Sequence, residues 1–205
     1  MRDLFILGKG VHGAEMVEIV ERVNLVKPTW NLLGFITPEP KQVGTVRNGV
    51  PVLGGLEMLD AYPDALFVPD NEWSRTLPIP ENRLVSLLDP SVFVSRTARI
   101  GAGSVIYPYC FIGLHAVLGR RVFALSGCAI NHDCTLENDV VLASGVQLAG
   151  SVTVEAGAYL GQACTVRQGL RIGRGSLVGM GATIVKDVPP KNVIVGNPGR
   201  VLREG

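Results

Sequence analysis

The sequence predicts a mixed α/β and all-β chain in three parts. A small Rossmann-like α/β domain spans residues 1–90, a parallel β-helix of hexapeptide repeats spans 91–186, and a capping tail spans 187–205. Three observations predict it: an unbroken sixfold register in the second half, a strand, glycine loop and helix at the start, and the composition of a folded chain. Of the 205 residues 47% are hydrophobic, and the mean hydropathy is +0.30. That apolar content excludes a disordered chain, and the glycines do not fall at every third position, which excludes collagen. With 19 basic and 18 acidic residues the formal charge is +1. Nothing in that balance calls for a nucleic acid or an anionic membrane as partner. The chain shows no run of 18 apolar residues and no signal-like leader, so a soluble, cytoplasmic protein is expected.

From Ser91 the frames read SVFVSR, TARIGA, GSVIYP, YCFIGL and HAVLGR, and so on without a slip to GATIVK, which ends at Lys186. The fourth position is Val, Ile or Leu in every frame except at Ala124. A period of six in aliphatic residues marks a parallel β-helix, in which each frame gives one short strand and one corner and three frames close a turn. Sixteen frames make a little over five turns, and at the strand spacing the prism is roughly 25 Å long. The second position also faces inward, near the corner, and holds small residues. All four cysteines (Cys110, Cys128, Cys134 and Cys164) fall in that column, so they are read as core thiols and neither ligands nor nucleophiles.

The first ninety residues lack this period. Residues 3–7 (DLFIL) read as a buried strand, 14–23 as an amphipathic helix, 31–36 and 65–68 as strands and 55–61 as a short helix. Residues 70–83 read as loop and 84–88 as a further strand. That order predicts a mostly parallel sheet. A solenoid also needs its open ends covered, a task the α/β unit and the tail from Asp187 can share.

Gly8, Gly10 and Gly13 fit G-x-G-x-x-G between a strand and a helix, where backbone N–H groups cradle phosphates. The unit is too small for a full dinucleotide domain, and no acidic residue closes the second strand to take a ribose. A half-sized nucleotide-binding unit is the functional reading; a tight turn needed only for packing is the bland one.

The chain has three histidines, His12 in the glycine loop, His115 and His132. His132 closes a frame and Asp133 opens the next, while His115 precedes Asp133 by 18 residues, one full turn. An imidazole beside a carboxylate on a prism edge suits general-base work, because the carboxylate fixes the tautomer and raises basicity. An exposed histidine at a tolerant corner is the alternative. Zinc calls for about three protein ligands; with two histidines in the repeat and every cysteine in the core column, no metal is expected.

The chain resembles the sugar O-acyltransferases of the sialic-acid O-acetyltransferase type, which include bacterial nucleotide-amino-sugar N-acetyltransferases. The resemblance is carried by Phe5-Ile6-Leu7-Gly8-Lys9-Gly10-Val11-His12-Gly13, by Leu33-Gly34-Phe35-Ile36 and by Val50-Pro51-Val52-Leu53-Gly54-Gly55. Beyond these come the repeat with Asn131-His132-Asp133-Cys134 and the run Gly196-Asn197-Pro198-Gly199-Arg200-Val201. The resemblance implies a left-handed coil and a homotrimer with active sites between chains. It implies acetyl-CoA-dependent transfer to a nucleotide-linked amino sugar, a precursor of a cell-surface polysaccharide or glycan. By similarity His132 is the general base and Asp133 orients it. The nucleotide-sugar lies against Gly8, Lys9, Gly10, Val11, His12 and Gly54, and acetyl-CoA touches Val141, Gly150, Gln162 and Met180.

Two other functions stay open from the residues. One is sugar O-acetylation of the sialic-acid type, since the same base serves a hydroxyl. The other is a trimer that binds nucleotide-sugar without chemistry. The chain departs from the family pattern at Lys9, which adds a charge to the glycine loop, and after Ile36, where Thr37-Pro38-Glu39-Pro40 replaces an acidic pair. The short, proline-bearing loop at 70–83 is a third departure.

Overall fold

The computed structural model describes residues 1–8, 10–71 and 78–205. The chain forms two compact units, one of Met1–Pro90 with Ala102–Val105 and one of Ser91–Gly101 with Ile106–Gly205.

In the first unit β1 (Arg2–Leu7) leads into α1 (Val11–Val26) and β2 (Trp30–Ile36). Then come β3 (Val46–Arg47), β4 (Val50–Gly54), α2 (Met58–Ala61) and β5 (Leu66–Pro69). The sheet order is β3-β4-β2-β1-β5, parallel except for the β3–β4 hairpin. That hairpin is absent from the sequence reading. Its signal is the two-residue turn Asn48-Gly49, with φ of 44° and 76°, the chemistry of a primed hairpin turn. Helix α1 buries Gly13, Met16, Val17, Ile19 and Val20, the stripe its apolar spacing predicts. A second cluster packs Phe5, Leu7, Ile36 and Phe67, with the Phe5 and Phe67 rings stacked at 5.5 Å. Of the loop expected at 70–83, residues 72–77 lie outside the described residues. Arg83 closes its far end by donating to the carbonyls of Leu59 and Ala65, both at 3.0 Å.

The second unit is a left-handed parallel β-helix. One strand per frame stacks every 18 residues, as in Ile112↔Ile130 and Leu142↔Leu160. Face I carries Phe93–Val94, Phe111–Ile112, Ala129–Ile130, Gln147–Leu148, Thr165–Val166 and Thr183–Ile184. Face II begins at Arg99–Ile100 and face III includes Val141–Leu142, Tyr159–Leu160 and Leu177–Val178. The fourth-position side chains are buried from Ile106 to Ile184. Val94, in the first turn of the coil, is 37% exposed.

The second column is buried from Ser104 onward, and its four cysteines are free thiols. Cys110, Cys128 and Cys134 each donate to a carbonyl, those of Leu125, Ala143 and Ala149, at 3.1–3.2 Å. Burial pushes the Cys164 thiol up to about 12 and raises Cys134, while the neighbouring Cys110 thiol and then burial raise Cys128. Few thiolates therefore exist at neutral pH. Native protein should react with a disulfide reagent only at the rate of global unfolding, and Cys134→Ala should cost about 1 kcal/mol as a small void. Fast labelling of any one cysteine in the folded protein would contradict this packing role.

The tail differs from a simple return strand. Val188 bridges Ile172, and Val193–Val195 pairs in parallel with Leu177–Val178, so the coil first gains part of another turn. Only Arg200–Arg203 reverses, antiparallel to Val193–Val195, after Gly196 turns at φ 90°.

Candidate active site

The 18-residue turn stacks Leu114, His132, Gly150, Gln168 and Lys186 along the edge where face I meets face II. At this corner Asp133 N–H donates to Leu114 O and Ser151 N–H to His132 O, both at 2.8 Å, so the His132 backbone is tied to the turns on either side. Asn131, just before it, donates from its side-chain amide to Leu148 O at 2.7 Å. Asp133 sits in the left-handed region at φ 60°, which Asp and Asn tolerate better than most residues. Its Oδ2 lies 2.7 Å from His132 Nδ1. With the proton on Nδ1 held by the carboxylate, Nε2 keeps its lone pair. The two side chains are 53% and 52% exposed, open to a substrate. The imidazole lies over Gly150, and a Cβ built there would overlap Cε1 and Nε2. His115 stacks one turn below Asp133, and its N–H donates to Thr97 Oγ1 at 2.9 Å.

The other two edges are unlike this one. Between faces II and III, Arg121 pairs with Asp139 through two 2.8 Å bonds and Glu137 with Arg174 at 3.1 Å. Those charges satisfy each other. Between faces III and I stand Gln162 and Met180, the latter 76% exposed, with Gly181 N–H donating to Gln162 O. Val141 is on face III and only 8% exposed. The four residues expected to meet acetyl-CoA therefore divide. Gly150 shares the edge of His132, whereas Val141, Gln162 and Met180 lie on face III or the edge beyond it, with face I in between.

In the α/β unit the expected acceptor residues gather at the C-terminal ends of the parallel strands. Gly8 follows β1 at φ 122° and donates to Ile36 O at 3.1 Å. Gly10 caps α1 without a side-chain bond, and Val11 is 74% exposed. His12 Nδ1 is 3.1 Å from Glu15 Oε2. Lys9 lies outside the described residues. Gly54 ends β4, and its carbonyl accepts from Thr37 N–H at 2.8 Å.

Two side chains that the sequence reading passes over shape this rim. Asp70, directly after β5 and 1% exposed, places its carboxylate where a Cβ on Gly8 would stand. Glu57 accepts from Gly55 N–H at 2.6 Å, and that bond holds its carboxyl below the ordinary range. The sequence signal for Asp70 is its place at the end of β5: β1 and β5 flank the point where strand order reverses, the usual ligand side of such sheets. A cleft of about 260 Å³ opens beside Glu57, lined by Thr37, Pro38, Val43 and Leu56. Among the described residues, no cluster of three or more His, Cys, Asp or Glu could hold a metal. No helix among them is long and apolar enough to cross a membrane.

No family model and no curated protein matches the chain. Solved structures do. The acetyltransferase domain of PglB from Neisseria gonorrhoeae FA1090, in complex with acetyl coenzyme A, is 28% identical with a TM-score of 0.85, over 98% of this chain and 99% of that one. PerB from Caulobacter crescentus, in complex with CoA and GDP-perosamine, is 24% identical with a TM-score of 0.82, over 99% and 98%. WeeI from Acinetobacter baumannii AYE is 24% identical with a TM-score of 0.77, over 98% and 100%. The fold of these structures is the fold of this chain, a small α/β region followed by a left-handed parallel coil. The chain is similar to hexapeptide-repeat acetyltransferases that carry a small α/β region ahead of the left-handed coil.

Proposed function

We propose that the protein is an acetyl-CoA-dependent N-acetyltransferase whose acceptor is a nucleotide-linked amino sugar and whose general base is His132. The observation that carries this reading is the 2.7 Å bond from Asp133 to His132 Nδ1 on an open edge of an acetyltransferase fold. The acceptor amine, in its neutral form, attacks the thioester carbon, and His132 Nε2 takes the proton it sheds as the C–N bond forms. The tetrahedral oxyanion needs an N–H donor, which a corner amide of the coil can supply. Collapse breaks the C–S bond, and the imidazolium returns its proton to the departing CoA thiolate. Neisseria PglB carries acetyl coenzyme A and Caulobacter PerB carries GDP-perosamine in their structures. The same two substrate classes suit this chain. Its glycine loop and the Gly54 turn offer backbone donors to the nucleotide-sugar.

The working form we propose is a homotrimer. The His132 edge and the Gln162–Met180 edge flank face I of one chain, so one bound acetyl-CoA reaches both only where neighbouring chains meet. A threefold ring repeats a single heterologous contact and brings unlike edges together at each interface.

The test is a screen of nucleotide-linked amino sugars and free sugars with acetyl-CoA, read by thiol release and product mass. Light scattering should give three times 21.9 kDa. Mixed trimers of His132→Ala with Met180→Glu should recover turnover that neither variant shows alone. A monomer at micromolar concentration, or no recovery on mixing, would sink the shared site. Transfer only to sugar hydroxyls would favour the O-acetylating alternative.

A further inference from the structure

We propose that Gly150 is a positioning residue for the His132 base, because its missing side chain is what lets the imidazole keep its place beside Asp133. This rests on the reading of His132 as the base. Gly150 stands in the sixth column with Leu114, His132, Gln168 and Lys186, and it differs in kind from the fifth-position glycines: a Cβ on Gly113, Gly161 or Gly173 would meet backbone atoms of the next turn. Those glycines serve the coil. At Gly150 the three nearest atoms all belong to one side chain, the His132 ring, namely Cε1, Nε2 and Cδ2. Gly150 is also absent from the glycines with left-handed φ, so its backbone does not require glycine.

A methyl group at this position therefore leaves the coil intact and displaces only the ring. The ring then loses its side-chain bond, Nδ1 to Asp133 Oδ2. Nε2 then no longer occupies the spot from which it takes the proton. A shift of about 1 Å at a reacting group costs of order 100-fold in rate. The missing methyl does by space what Asp133 does by charge: both hold one rotamer and one tautomer of the same imidazole.

The experiment is Gly150→Ala, alone and combined with Asp133→Asn, beside His132→Ala. Gly150→Ala should lower kcat by at least about tenfold, with Tm, trimer mass and KM for the nucleotide-sugar nearly unchanged. Once the ring has left Asp133, adding Asp133→Asn should cost little more, so the two losses should not multiply. Imidazole ¹⁵N shifts should show the Nδ1–H tautomer in the parent and a mixture in Gly150→Ala, independently of turnover. Gln168→Ala, one turn further along the same edge and exposed, should behave like the parent. Full kcat in Gly150→Ala, losses that multiply, an unchanged tautomer, or loss of the fold would each overturn the inference. The reading it rests on fails separately, if His132→Ala keeps its turnover.

Discussion

Replacing His132 with alanine should lower turnover by roughly 10²–10⁴-fold, the range over which a positioned general base acts, while the trimer and acetyl-CoA affinity persist. The fold has little at stake in this side chain, which is 53% exposed and bonded to Asp133. The backbone bonds that hold residue 132 to its neighbouring turns remain in the variant. Asp133→Asn should cost less. Asparagine tolerates the left-handed φ at this corner and can still accept from Nδ1–H, but without the charge that favours the imidazolium. Steady-state rates at saturating acetyl-CoA decide the matter. Near-parental turnover in His132→Ala would mean that the amine gives up its proton to another group, and the assignment to His132 and Asp133 would fall.

The coil was legible because its period is a direct image of its geometry. A residue six positions on occupies the same place on the next face, so Ile112, Leu118 and Ala124 face one core and the cysteine column lies beside it. The His132–Asp133 pair was legible for a similar reason, being adjacent in sequence and at a corner the register locates. What escaped depends on side-chain direction or distant pairing. That the His132 ring leans over Gly150 depends on a rotamer, which no period encodes. Asp70 meets Gly8 only because β5 pairs with β1. The hairpin at Asn48-Gly49 escaped although its turn residues signal it; Pro51, near the start of β4, pairs across to Val46. The division of the expected acetyl-CoA contacts between two edges could have been counted. Val141, Gln162 and Met180 all fall in third frames of the 18-residue turn, and His132 and Gly150 in first frames. That count is the sequence-level ground for a site shared between chains.

Gly8→Ala should be the most damaging single change in the α/β unit, costing about 2–4 kcal/mol of its stability and with it the binding of nucleotide-sugar. Two independent causes combine. The backbone at Gly8 has a φ of 122°, a conformation that side-chain-bearing residues rarely adopt. The space a methyl would need is filled by the Asp70 carboxylate, itself buried at 1% exposure. Relieving one cause leaves the other. Gly8→Ala with Asp70→Ala should therefore be less destabilised than the two single changes summed, by about 1 kcal/mol, yet should not regain parental stability. Chemical denaturation of the four proteins measures the coupling. KM for the nucleotide-sugar and for acetyl-CoA then separates the functions: with the acceptor on the glycine loop, as proposed, only the first constant should rise. A parental KM for the nucleotide-sugar in Gly8→Ala would remove the glycine loop from the acceptor site.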